Sequence, residues 1–217
     1  MTAQQSKKSH TRHMLIWAIG LGTLVGFLLP ACFPKSSQTT VPALGTAVSP
    51  TKDTPDSLQR GLSVYYMEGF WRHVDLMPKP EAFLKKKWKP GKPISKIDHR
   101  FGKGNVFDSG RNSGVGVLMR GFIHLSRAGE WQFMAQSNDG IEVTIENILV
   151  VSDPGWHSDR FSQPMGFQAE RSGWYTVKLR YFQRKGTATL EFYWKPPGKK
   201  DFTIIPEAAY WHMPKPF

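Results

Sequence analysis

At 217 residues the chain is long enough for one ordinary domain plus a tail. Its formal charge is +12, with 24 basic against 15 acidic residues from position 57 onward. The excess therefore belongs to the body of the chain and suits anionic partners: nucleic acid, anionic lipid, acidic glycans or phosphorylated wall polymers. A single cysteine, Cys32, excludes an internal disulfide and fits a bacterial envelope protein better than a secreted eukaryotic domain.

Residues 1–13 form a basic tail with Lys7, Lys8 and Arg12 and no acidic residue. Residues 14–33 carry no charge and include Leu15, Ile16, Trp17, Leu21, Leu24, Val25, Phe27, Leu28 and Leu29. A helix of about 20 apolar residues spans a bilayer. The basic flank stays in the cytoplasm, so one N-terminal transmembrane helix is expected to send residues 34–217 across the membrane. Two alternatives stand beside this anchor. A lipoprotein signal would end at Cys32 after Leu29-Pro30-Ala31, although Pro30 departs from the usual pattern; an ordinary signal peptide would be cleaved near Ala31. All three place the domain outside the cytoplasm, periplasmic or at the cell surface, and so argue against nucleic acid as a partner. Residues 34–56 are rich in Pro, Ser and Thr without apolar periodicity and read as a flexible linker. The domain is expected over 57–217.

Leu58 to Tyr66 reads as its first strand. From Glu68 to Arg100 the pattern is irregular, and Pro78, Pro80, Pro90 and Pro93 argue against central strands. Lys79, Lys85, Lys86, Lys87, Lys89, Lys92 and Lys96 flank Phe83 and Trp88 there. Such a run is usually a solvated loop; the sharper reading is an acidic-polymer site. Gly102 to Gly116 is a Gly-, Asn- and Ser-rich surface loop without a phosphate-loop ending. Val115 to Leu125 reads as a strand.

The second half alternates apolar and polar residues throughout: Gly129 to Phe133, Ser137 to Val143, Gly173 to Phe182, and Gly186 to Trp194 before Pro196, Pro197 and Gly198. Period-two alternation puts one face in a core and the other in water. Trp131, Phe133, Tyr175, Val177, Leu179, Tyr181, Leu190, Phe192 and Trp194 are expected to face inward. Asn138-Asp139-Gly140 reads as a tight turn, because these residues tolerate positive φ. The fold class is all-β, an antiparallel sandwich.

These residues also carry a resemblance. Gly129, Trp131, Phe133, Ser137, Asp139, Gly140, Gly173, Tyr175, Tyr181, Trp194, Pro196 and Pro197 stand in the order typical of the protective-antigen-type β-sandwich domain. The opening Gly61 to Tyr66 and closing Ile204-Ile205-Pro206 fit its two ends, so the likeness covers roughly residues 58 to 212. Met119-Arg120-Gly121 keeps the family's Gly at that point and lacks its Trp. The resemblance implies a non-catalytic binding module, of a kind found in bacterial glycosidases, flocculins and adhesins.

The seven His residues form no zinc or hydrolase motif. Asp153, His157 and Asp159 lie close in sequence; the simple reading is a hydrogen-bonded turn, the other a metal or acid–base site. In sugar-binding members two adjacent carboxylates hold Ca²⁺, which coordinates the sugar. The resemblance thus makes Asn138 and Asp139 the candidate ligand-binding and calcium residues, with Trp156 as a sugar-stacking platform. One of the two carboxylates is an amide here, which removes a charge that calcium favours. The expected partner is a glycan or anionic envelope polymer, with the membrane and other envelope proteins beside it. A structural subunit without a sugar site is the alternative.

Overall fold

The computed structural model describes residues 45–52, 56–79 and 88–214. The expected tail and membrane segment, 1–33, lie outside the described residues. Among the described residues no helix is long and apolar enough to cross a membrane.

Fourteen strands are described, in chain order: β1 (Gln59–Arg60), β2 (Ser63–Glu68), β3 (Lys89–Pro90), β4 (Asp98–Gly102), β5 (Val115–Leu125), β6 (Gly129–Asn138), β7 (Ile141–Ile145), β8 (Ile148–Asp153), β9 (Arg160–Phe161), β10 (Met165–Ala169), β11 (Gly173–Gln183), β12 (Ala188–Lys195), β13 (Thr203–Ile204) and β14 (Tyr210–His212). Two short 3-10 turns, Val74–Leu76 and Glu207–Ala209, are the helical elements described. The strands form two antiparallel sheets. One runs β1-β14-β5-β11-β7-β8, with β2 on β5 in line with β14 and β3 beyond β2. The other runs β10-β6-β12-β13, with β4 along β12 and β9 along β6.

The core lies between the sheets. Strand β11 alternates strictly, with Tyr175, Val177, Leu179 and Tyr181 buried and Trp174, Thr176, Lys178 and Arg180 only partly so. Trp131, Phe133 and Ala135 of β6 and Leu190 and Phe192 of β12 face them from the other sheet. Of the nine residues expected inward, Trp194 alone is only half-buried; its ring lies 4.9 Å from that of Trp131 at the core margin. A second apolar cluster backs the first sheet. Tyr65, Met67, Leu118 and Phe182 are covered by Val74, Met77 and Trp88, with Trp71 packed against them.

Three expectations meet a difference. The first strand is two pieces, because Gly61 turns the chain at φ 87° and Leu62 bridges to Ile94 instead. The loop 102–116 is not wholly superficial: Val106 is buried in the main core. The expected linker, 34–56, contains chain that joins the domain. Val48 pairs with Ala169 and Lys52 with Trp174, while Pro50 packs where a Cβ on Gly173 would stand, 2.5 Å away. Backbone hydrogen bonding needs no apolar periodicity, which is why composition alone reads this stretch as linker.

Candidate functional site

Strands β5, β6 and β11 converge at one pole of the sandwich, where Asn138, Asp139 and Gly140 connect β6 to β7. The peptide bond between Asn138 and Asp139 is cis. None of the three residues has positive φ, contrary to the expected turn chemistry. Gly140 is needed for room: a Cβ there would lie 2.5 Å from the carbonyl oxygen of Pro154, 2.6 Å from that of Gly155 and 2.6 Å from the Phe182 ring. The turn is thus pressed against the backbone of the loop after β8.

Asp139 is 4% exposed. Its Oδ1 accepts the backbone N–H of His157 at 3.1 Å, and its Oδ2 accepts that of Arg184 at 2.7 Å. Burial pushes its carboxyl above the usual Asp range, although these amides pull the other way. The carboxylate therefore ties the loop at 153–159 to the end of β11. That loop is fixed from its far side as well: Val74 N–H donates to Pro154 O at 2.9 Å, and Trp156 N–H to Arg72 O at 3.2 Å.

The side chain of Asn138 makes different contacts. Its Nδ2 donates to Asp159 Oδ1 at 2.7 Å, and Asp159 Oδ2 accepts the Thr189 hydroxyl at 2.8 Å. The Tyr181 hydroxyl donates to the Asn138 carbonyl at 2.5 Å. Asp153 holds Arg160 through two bonds, at 2.8 and 2.5 Å, and lies 3.2 Å from His157 Nε2. The Asp153, His157 and Asp159 grouping is a hydrogen-bonded turn in which each carboxylate has a protein partner.

Calcium takes six to eight oxygen ligands and gains from their charge, and the Asn138–Asp139 pair supplies one carboxylate and one amide. Both Asp139 oxygens already accept amides, and the amide nitrogen of Asn138 is directed at Asp159. Among the described residues no group of three His, Cys, Asp or Glu side chains could hold a metal ion.

The structure brings Trp156 to the same pole. It is 59% exposed, and the Arg184 guanidinium lies over its ring at 5.5 Å. Across Arg184 lies Phe70, 56% exposed, against the backbone of Gly114, whose N–H donates to Arg184 O at 3.1 Å. So Asp139 and Trp156 share one corner, linked through His157 and Arg184, whereas the Asn138 side chain serves a separate network. Arg184 escapes sequence reasoning, because it stands in the Gln-Arg-Lys-Gly turn after β11 with no motif around it.

The family comparisons agree with this architecture. The PA14 domain model matches residues 95–208. The chain belongs to the PA14 domain family, as the protective-antigen-type resemblance implies. Among solved structures it is similar to the PA14 domain of the antifreeze protein MpAFP: 20% identity, TM-score 0.59, covering 74% of this chain and 94% of that one. It is also similar to an anti-sigma factor domain-containing protein from Clostridium clariflavum, at 20% identity and TM-score 0.58. That match covers 73% of this chain and 49% of the other, so only about half of that protein is spanned. A third is the epithelial adhesin 9 A domain from Candida glabrata in complex with Galb1-4GlcNAc: 12% identity, TM-score 0.53, covering 76% and 96%. No curated protein matches the chain.

Proposed function

We propose that this chain is a carbohydrate-recognition module of the cell envelope, which engages a glycan at the pole formed by Trp156, Arg184 and the turn at Asp139. The observation that carries the reading is Trp156: a large aromatic side chain, 59% exposed, on a loop whose backbone is held from two sides. Apolar sugar faces stack on such rings, and a rigid mount limits the entropy lost on binding. The adhesin A domain of the same fold, seen with a disaccharide, supports it. Residues 14–33 would hold the module at the membrane, and the full chain should then fractionate with membranes while a chain starting at Gly45, which keeps the pairings of Val48 and Lys52 with the domain, stays soluble.

Binding on this reading is metal-independent, because the carboxylate of Asp139 is engaged in holding the loop. Trp156→Ala should weaken glycan binding at least tenfold in a polysaccharide pull-down, with an unchanged melting temperature. Full binding by that variant would remove the reading.

Calcium has its own test. Asn138→Asp places a carboxylate against Asp159, where an amide now donates at 2.7 Å. In chelator the variant should lose about 1–3 kcal/mol of stability, from a lost hydrogen bond and two like charges in contact. Recovery of that loss in millimolar Ca²⁺, seen as a rise in melting temperature, would show that the turn is one charge short of a calcium site. Heat of Ca²⁺ binding to the unaltered chain would restore the calcium-dependent reading.

A protein partner is the other reading, and exposed apolar groups favour it: Phe70 and Leu76, the latter 64% exposed, lie on the segment that buttresses the Trp156 loop. Retention of an envelope protein by the full chain, lost in Phe70→Ser and kept in Trp156→Ala, would decide for it.

A further inference from the structure

We propose that the cleft between the end of β2 and the loop before β5 binds a carboxylated sugar unit, a uronate, of the glycan; the inference rests on the carbohydrate reading above and adds a second subsite to it. The cleft has a volume of about 610 Å³, within the range of small-ligand sites. Its lining joins an apolar wall, Trp71 and Met67, to three charged groups, Glu68, Lys89 and Arg111.

The indole of Trp71 is seated by two glycines. A Cβ on Gly69 would lie 2.3 Å from its Cζ2, and one on Gly116 2.9 Å from its Cζ3. The ring thus lies directly on backbone, and is half-buried. This is a platform suited to the C–H face of a pyranose.

Arg111 is equally fixed. Its Nε donates to Ser113 O at 3.3 Å, and its Nη1 lies 3.2 Å from Glu68 Oε2. Its carbonyl accepts Val106 N–H at 2.8 Å, and its own N–H donates to the Ser109 hydroxyl at 3.1 Å. Lys89 Nζ stands 3.9 Å from Glu68 Oε1 with its side chain 83% exposed, so that ion pair is weak and easily exchanged. The neighbouring Asp108 is turned aside: it accepts the Tyr66 hydroxyl at 2.6 Å and Lys92 N–H at 2.8 Å. Two cations therefore face one carboxylate in the lining, the charge of Asp108 behind Tyr66 is set against Lys92, and the cleft keeps a surplus positive charge on a chain of net charge +12. A sugar carboxylate would neutralise that surplus through Arg111 and Lys89, while Glu68 accepts from sugar hydroxyls.

The test is calorimetry on the full chain in neutral detergent micelles, with tri-galacturonate and the neutral galactose trimer of the same linkage as probes. The wild type should bind the acidic trimer at least tenfold more tightly, with the preference shrinking in high salt. Arg111→Glu should abolish the preference and leave neutral-trimer affinity within about twofold. Gly69→Ala, which displaces Trp71 without changing charge, should weaken both trimers several-fold. Trp156→Ala should weaken both and keep the acidic preference. If Arg111→Glu impairs folding, as its melting curve would show, Lys89→Glu replaces it, with at least a threefold loss of preference expected. A preference that survives Arg111→Glu or its replacement, or its absence in wild type, overturns the cleft while leaving the carbohydrate reading in place. Failure of wild type to bind either trimer counts against that reading and removes the cleft with it.

Discussion

Phe192→Ala should lower the free energy of unfolding by ~3–5 kcal/mol, the usual cost of removing a fully buried aromatic side chain and leaving a cavity. Phe192 is 0% exposed in the middle of β12, with its ring 5.8 Å from that of Phe133 on β6. Its backbone is committed on one edge as well: its N–H donates to Ile97 O at 3.0 Å, and its carbonyl accepts Ile205 N–H at 3.1 Å. Strands on both sides of the ring are pinned, so collapse around the cavity is limited and the upper part of the range is expected. Chemical denaturation of the domain measures it. A loss under ~1 kcal/mol would mean that the ring is not in the core.

Asp139→Ala should also be costly, by ~2–6 kcal/mol. The substitution strands two backbone N–H groups, of His157 and Arg184, in a nearly closed site, at ~1–3 kcal/mol each. It should also loosen the Trp156 loop, with faster amide exchange at His157 and Arg184. Binding losses in this variant would therefore mix folding with recognition, and Trp156→Ala is the cleaner probe of the ligand site. The pH dependence has a definite sign. The folded-state pKa of Asp139 is raised by burial, above the ordinary Asp value of ~3.9. The stability linked to this group is then fully present below that ordinary value and is lost as pH rises through the raised one. The gap between wild type and Asp139→Ala should be widest in acid and narrow across that window. A gap that widens with rising pH would mean that the amides outweigh burial.

Alternation was the strong signal in this sequence. The expected strand Val115 to Leu125 coincides with β5, and the buried positions of β11 follow the period-two pattern without a break until its last turn. The pole was less legible, because its geometry depends on contacts between distant segments. Gly140 is a small residue for the sake of Pro154 and Gly155, not for its own φ. The β7–β8 hairpin turns on Glu146 and Asn147, both at positive φ (47° and 62°), although Glu is a poor residue for that conformation. Its carboxylate accounts for the choice: Oε1 accepts Thr176 N–H at 2.5 Å and the Thr51 hydroxyl at 2.6 Å. The candidate site was half visible. A motif marked Asp139, but which atoms its oxygens hold is set by the end of β11, some 45 residues away.

The pairing of residues 45–52 also has a mechanical side. They meet the domain at Ala169 and Trp174, beside the start of β11, whereas Arg184 and Trp156 stand beyond its other end. The 11 residues of that strand separate the two points by about 33 Å. A pull applied between the N-terminal attachment and the Trp156 pole enters the domain at residues 45–52, which are tied to it by the pairings Val48–Ala169 and Lys52–Trp174. Those few hydrogen bonds are loaded before the ladder from Gly173–Leu125 to Gln183–Val115, so the N-terminal segment can peel away and lengthen the tether while the sandwich and its Trp156 pole stay intact.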